Sequence, residues 1–103
     1  MRRNEEMLAE HPEVRDFLKA VASETRQRIL FRFVNGEPRT VGQIAEQLDI
    51  VQSTASEHLA ILRRGGLLIA TRDGKEVYYR PDRARTLELL KKLSDLLTSC
   101  CPK

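Results

Sequence analysis

The stretch from Thr40 to Arg80 constrains the fold more than any other part of the chain, because two short helical patterns meet there at a tight corner and run into a charged hairpin. Val41, Ile44, Ala45 and Leu48 recur at helical spacing, Asp49 and Ile50 interrupt the period, and Ala55, Leu59 and Leu62 resume it. A step of about 100° per residue places Ala55, Leu59 and Leu62 on one side of the second helix and Ser53, Ser56, Glu57, Ala60 and Arg64 on the other. The outward side is small, polar and partly basic. Small residues let a helix backbone approach a groove, and the hydroxyls and amide of Gln52, Ser53, Thr54 and Ser56 suit base edges or phosphates. Gly65 and Gly66 stop this helix. Leu67–Thr71 then reads as a strand that turns at Asp73–Gly74 and returns through Val77, Tyr78 and Tyr79. Helix, corner, helix and hairpin in this order predict a winged helix-turn-helix, with the second helix as the reader of duplex DNA and the hairpin as its wing. Arg72 and Lys75 at the wing tip, and Arg80 at the far end of the return strand, suit phosphate contact.

The flanks complete a mainly α fold with one β-hairpin, in the order α1-α2-α3-α4-β1-β2-α5, as a single domain over residues 1–103. Pro12 suits the first turn of a helix over Glu13–Ala22, with Val14, Phe17, Leu18 and Val21 facing inward. Ser23 caps a second helix, in which Ile29, Leu30, Phe33 and Val34 face the core and Asn35–Gly36 ends the run. Met1–Glu10 either extends the first helix or stays mobile. Pro81–Asp82 opens a last helix whose Leu87, Leu89, Leu90, Leu93, Leu96 and Leu97 cover well over half its circumference. So wide an apolar surface exceeds what one small domain covers, so this helix, aided by the first, is expected to form a homodimer interface. A dimer presents two reading helices to half-sites about one DNA turn apart, which implies a palindromic operator.

Composition narrows the partner. A formal charge of +3 and a pI near 9.1 favour a polyanion, yet 15 acidic residues oppose 18 basic ones, so the basic character must be local. The absence of tryptophan and the scarcity of aromatics argue against a stacking platform for single strands. No secretory signal, long apolar span, low-complexity tract or internal repeat is recognisable, so a cytoplasmic protein with no membrane partner is expected. Paired carboxylates, a nucleophile beside a base and a phosphate-cradling glycine loop are all missing, so the chain is not expected to be an enzyme. The competing reading is a winged-helix module that binds protein instead of DNA, which a flat salt dependence of DNA binding would favour.

The runs FLKAVASETRQRILFRF, IVQSTASEHLAILRRGGLL and ATRDGKEVYYRPD together resemble the ArsR/SmtB family of winged-helix repressors, over nearly the whole chain. The most specific part is Gln52–Leu59, where Gln52, Thr54, Ser56, His58 and Leu59 match the family's recognition-helix pattern. Val51 departs from it: the family's usual residue there is a capping serine, so the cap must come from Asp49 or from water. The resemblance implies a dimeric repressor that holds an operator until an inducer, often a metal or metalloid ion, loosens it. Family members that sense metal before the recognition helix carry cysteines in the place of Thr40–Ile44, and this chain has none there. Members that sense it on the last helix use aspartate and histidine, and no histidine lies between Asp82 and Leu97. The remaining soft donors are Cys100 and Cys101, expected beyond the last helix in a tail over 98–103, a position resembling that in some arsenic-responsive members.

Adjacent thiols close a strained disulfide ring but can pinch one large soft ion, so the candidate inducers are As(III) and an organoarsenical, with no resident cofactor required. Inorganic As(III) prefers three sulfurs, so either the second subunit lends a thiol or the ligand is a mono-organyl arsenical. Two other readings stay open: a redox or persulfide switch, and a tail with two free thiols. Zinc would need four ligands, and His11 and His58 lie elsewhere in the chain. His58 suits either half-buried packing or phosphate contact. Arg63 and Arg64 suit either the helix dipole or the DNA backbone, with the backbone favoured. Arg26 and Arg28 suit ion pairs or phosphate contacts.

Overall fold

A computed structural model describes residues 9–100, apart from the side chain of Cys100. Among the described residues, and beyond a helical end at residues 9–10, five helices and three strands follow one another as α1 (Pro12–Val21), α2 (Glu24–Phe31), β1 (Arg39–Thr40), α3 (Val41–Leu48), α4 (Gln52–Arg64), β2 (Leu68–Asp73), β3 (Glu76–Pro81) and α5 (Arg83–Cys100). The expected winged helix-turn-helix is present, with the short strand β1 added ahead of α3. β1 pairs antiparallel with β3, Arg39 opposite Tyr79 and Thr40 opposite Tyr78, so the sheet runs β1-β3-β2. The hairpin is longer than its apolar residues suggested. Its register reaches Asp73 opposite Glu76, which moves the turn to Gly74–Lys75, with Gly74 at φ +64° in the first loop position, where glycine is favoured.

The core is one cluster. Phe17 and Ala20 of α1, Ile29 of α2, Phe33, Ile44 and Leu48 of α3, Ala55, Leu59 and Leu62 of α4, Leu68 and Tyr79 of the sheet, and Leu89 of α5 are all buried together. Pro12 sits at the start of α1, and Ser23 caps α2 by accepting the Arg26 N–H at 3.2 Å. Two inward assignments change. Leu18 stays 38% exposed because the fully buried stripe of α1 runs through Val14, Phe17 and Ala20. Val34 is 77% exposed because α2 ends at Phe31; the tight turns Phe33 N–H to Leu30 O and Gly36 N–H to Phe33 O leave the 3.6-residue period, returning Phe33 to the core but not Val34.

Between α3 and α4 the corner is closed by backbone alone. Asp49 takes the left-handed conformation at φ 56°, and the Ile50 N–H reaches back to the Ala45 carbonyl at 3.0 Å. Ahead of it, Thr40 and Gln43 form a reciprocal capping box, Gln43 N–H to Thr40 Oγ1 at 3.2 Å and Thr40 N–H to Gln43 Oε1 at 2.8 Å. This T-x-x-Q signature was readable in the sequence.

α5 is longer than expected and continues through Cys100, so residues 98–100 belong to the helix, not to a tail. Leu89 alone of its leucines is fully buried, Leu93 and Leu96 are half-buried, and Leu87 and Leu90 remain 53% and 46% exposed. The Lys92 ammonium donates to Glu13 Oε2 at 3.4 Å and ties α5 to the first turn of α1. Desolvation at this junction pushes the Glu13 carboxyl up, but its own backbone N–H, Lys92 and His11 outweigh it and hold the group below its ordinary value. No described helix is long and apolar enough to cross a membrane.

α1 crosses the end of α4 at a distance only glycine permits. A Cβ on Gly65 would stand 2.6 Å from Ala20 Cβ and 2.9 Å from the Asp16 carbonyl oxygen. Gly42, on the exposed side of α3, would place its Cβ no nearer than 3.9 Å to any neighbour. Gly65→Ala is therefore expected to lower unfolding free energy by about 1–3 kcal/mol through overpacking, whereas Gly42→Ala raises it by up to about 1 kcal/mol through helix propensity. Urea denaturation of the two variants checks both signs.

Candidate DNA-binding surface

α4 is fixed by what it buries. Ala55, Leu59 and Leu62 are fully buried, which turns Gln52, Ser53, Ser56, Glu57, Ala60, Arg63 and Arg64 outward as exposed residues, with Thr54 and His58 half-buried on one flank. The expected outward face is thus present, and the helix-turn-helix corner points it away from the core. Arg63 and Arg64 lie in the last turn, where cations complement the carbonyl end of the helix dipole.

The corner between α4 and β2 holds the hairpin in relation to this face. Gly66 takes φ +85°, the Leu67 N–H bonds the Leu62 carbonyl at 3.0 Å, and the Asp82 N–H bonds the Leu67 carbonyl at 2.9 Å. Thr86 Oγ1 of α5 shares its one proton between the Asp82 carbonyl at 2.8 Å and the Gly66 carbonyl at 3.1 Å. The wing is therefore anchored at its base by α5 and free at its tip. At that tip Arg72 and Lys75 are exposed as expected, but Asp73 and Glu76 face each other across the strands. Four charges of alternating sign cancel, so the tip is not the basic finger that its two cations alone suggested. Arg80 donates to Thr71 Oγ1 at 3.1 Å across the hairpin, which turns one cation towards its own strand pair.

Of the two arginines of α2 left undecided by sequence, Arg28 lies exposed and Arg26 finds partners. Arg26 bonds the carbonyls of Lys19 and Ala20, at 3.0 and 2.8 Å, and stands 3.2 Å from His58 Nδ1. Gln27 Nε2 donates to the Val21 carbonyl at 2.8 Å. The first turn of α2 thus closes the end of α1, a role that carried no sequence signal beyond the basic residue itself. Among the described residues no three His, Cys, Asp or Glu side chains gather into a metal-holding cluster. His11 lies beside Glu13 and His58 beside Arg26, in separate places. Cys100 closes α5, while its side chain and the whole of Cys101 lie outside the described residues, as do residues 1–8. Neither Asp49 nor any other side chain caps α4: its N-cap is Val51, 67% exposed and without a capping bond, while Asp49 ends α3.

A helix-turn-helix domain family matches residues 21–70. The transcriptional activator HlyU of Vibrio cholerae is 40% identical over 62 residues, 60% of this chain and 56% of HlyU, so the matched part is little more than half of that protein. The biofilm growth-associated repressor of Xylella fastidiosa is 32% identical over 89 residues, 86% of this chain and 77% of the repressor. Among solved structures, the homodimeric winged helix-turn-helix DNA-binding domain (fragment 1–100) of Mb0332 from Mycobacterium bovis, described as a possible ArsR-family transcriptional regulator, superimposes with a TM-score of 0.67. It is 34% identical and the match covers 84% of this chain and 82% of that one.

The bare start of α4 yields a direct test. Val51→Ser supplies the missing side-chain acceptor at a position already in extended backbone and largely exposed, and is expected to raise unfolding free energy by about 0.5–1 kcal/mol in urea denaturation.

Proposed function

The chain belongs to the ArsR family of winged-helix transcriptional regulators, and from that premise we propose that it is a homodimeric repressor that grips a palindromic operator and is released when a trivalent arsenical binds Cys100 and Cys101. The observation that carries the DNA reading is the contrast across α4: a fully buried floor of Ala55, Leu59 and Leu62 beneath an exposed face of Gln52, Ser53, Ser56 and Glu57. Nothing bulky stands on that face to keep the backbone from a groove, and every polar group on it can meet a base edge or a phosphate. Half-buried Thr54 and His58 flank it, and Arg63, Arg64, Arg72 and Lys75 supply cations towards the DNA backbone. Because the wing tip is electrically balanced, the arginines at the end of α4 outweigh it in phosphate contact.

Dimerisation through α5 is supported by the half-exposed Leu87 and Leu90, and by the homodimeric state of the Mb0332 domain. Reading both half-sites then follows from two-fold symmetry. The inducer reading rests on donor chemistry. Each thiol replaces one oxygen ligand of a trivalent arsenical as water leaves, so two adjacent thiols satisfy a mono-organyl arsenic, while inorganic As(III) takes a third thiol from the second subunit. Cys100 is the last residue of α5, the helix proposed to join the subunits, which supports a coupling between inducer and dimer.

Labelled duplex from upstream of the chain's own gene, titrated with the protein at several salt concentrations, is expected to bind with an affinity that falls steeply with salt; a flat slope or no binding would favour a protein-binding module. Added to the preformed complex, arsenite or phenylarsenite is expected to release the DNA at about one equivalent per site, and Cys100→Ser with Cys101→Ser together should keep the binding and abolish the release. Release of the double variant would sink the thiol reading, and release of the unaltered chain by a persulfide donor alone would replace the arsenical with a redox signal.

A further inference from the structure

Arg26 makes three polar contacts with one planar group, and they link α2, which carries it, to both α1 and α4. Ser23 accepts the Arg26 N–H, which sets the residue in the first turn of α2 with its side chain turned back over the end of α1. Nε donates to the Ala20 carbonyl and one terminal nitrogen to the Lys19 carbonyl, which also accepts the Ala22 N–H at 3.3 Å; both carbonyls lie in the last turn of α1, where a helix runs out of intrahelical donors. The other terminal nitrogen lies 3.2 Å from Nδ1 of His58 on α4. A guanidinium has five donors and no acceptor, so in this contact Nδ1 must accept. His58 is then the neutral imidazole with its proton on Nε2, and the ring's remaining polar group is an N–H donor on the flank of the reading face.

The same stretch of α1 meets α4 a second time. Ala20, whose carbonyl Arg26 holds, has its Cβ at the bare α-carbon of Gly65. His58 and Gly65 are seven residues, about two turns or roughly 10 Å, apart along α4. Two contacts separated along the axis add to the burial of Ala55, Leu59 and Leu62 in setting the tilt of α4 against α1, and α1 is in turn packed on α5, the helix proposed to join the subunits.

We propose that Arg26 is a positioning residue for the reading helix: its guanidinium ties His58 of α4 to the end of α1, sets the His58 tautomer, and so holds the outward face at the angle at which two half-sites are read together. The role rests on the DNA-binding reading above. Arg26 is thereby distinguished from a phosphate contact, for which its charge alone would have suited it.

Two measurements on the full chain test this. Nitrogen-15 shifts of His58 in the free protein near pH 8 are expected to report Nδ1 unprotonated and Nε2 protonated, with the two tautomers mixing in Arg26→Leu; a ring protonated on Nδ1 in the unaltered chain overturns the assignment without any DNA. For the second, a duplex selected from a random library by the unaltered protein serves as probe. Arg26→Leu is expected to weaken binding about tenfold or more, the order expected for a lost charge-assisted hydrogen bond, while the salt slope stays as it was. A slope reduced by about 0.9 for each arginine removed would make Arg26 a phosphate contact and end the proposal, as would unchanged affinity. Arg26→Lys, which keeps the charge but loses the planar fork, is expected to behave like Arg26→Leu and stands in for it if the leucine variant does not fold. His58→Asn, which offers an amide oxygen near the place of Nδ1, should retain more affinity than His58→Leu when Arg26 is present and no more than it in the Arg26→Leu background; equal loss in both backgrounds also overturns the tie. An unaltered chain that selects no duplex refutes the DNA reading, and this role with it, whatever the tautomer.

Discussion

The contact on which the arrangement of helices depends is that of Ala20 with Gly65. It sets the separation of α1 and α4 at a value no side chain other than hydrogen allows, and α4 is the central support of the molecule, with α1, α2, α3 and β2 all resting on it. With that separation fixed, Phe17, Leu59 and Leu62 close on one another, and the corner at Gly65–Gly66 can turn the chain at once into the hairpin. The buried side of α4 is thereby saturated by its own chain, and its polar side is left to solvent. A reading helix that had to share its apolar face with a second subunit would be oriented only in the assembly. Here the orientation belongs to the single chain, and the leucines left over on α5 are available for association.

Charge is distributed in keeping with this division. The overall excess of three positive charges is too small to make the whole surface attractive to a polyanion, and the wing tip contributes none of it, because Asp73 and Glu76 cancel Arg72 and Lys75. Arg26 and Arg80, two cations that sequence offers as candidates for phosphate, are engaged with carbonyls, a histidine ring and a threonine hydroxyl of their own chain. What remains unengaged by any described bond near α4 is Arg63 and Arg64. Unengaged positive charge is thus concentrated at one end of α4, and the rest of its exposed face is neutral apart from Glu57. In the DNA-binding reading, that arrangement weights base-edge and groove contact over backbone attraction.

Much of this was legible in the chain because two periods are strong. Ala55, Leu59 and Leu62 at helical spacing gave the buried side of α4, and hence every outward residue opposite it. Gly65–Gly66 and Asp73–Gly74 gave the hairpin to within a residue or two. What escaped reading depends on partners far away in sequence. Val34 continues a helical apolar pattern that the backbone has already left, and nothing local records that departure. β1 is two residues long and exists because β3 offers an edge. Arg26 could not be assigned because its acceptors are two carbonyls, which belong to any sequence, and a histidine 32 residues away. The opposed acids at the wing tip became visible only with the register, since a shift of the turn by one residue decides whether Asp73 meets Glu76.

The two helices of the motif begin in opposite ways, and the difference separates support from function. α3 opens with a reciprocal capping box in which Thr40 and Gln43 satisfy each other's backbone N–H groups. α4, longer and more central, opens with a valine that caps nothing. By stability alone the order should be reversed, because a hydroxyl at Val51 costs little burial and satisfies an amide. The first N–H groups of a helix lack intrahelical acceptors, and a side-chain cap would occupy one of them. Left uncapped, the start of α4 presents amide donors and the positive end of a helix dipole beside Gln52 and Ser53. In the DNA-binding reading these are the groups nearest the groove, so a deficit in the free protein becomes a set of donors for an anionic partner. The rest of the fold tolerates that deficit because α4 is held along its length by Ala55, Leu59 and Leu62, and at its far end by the glycine against Ala20.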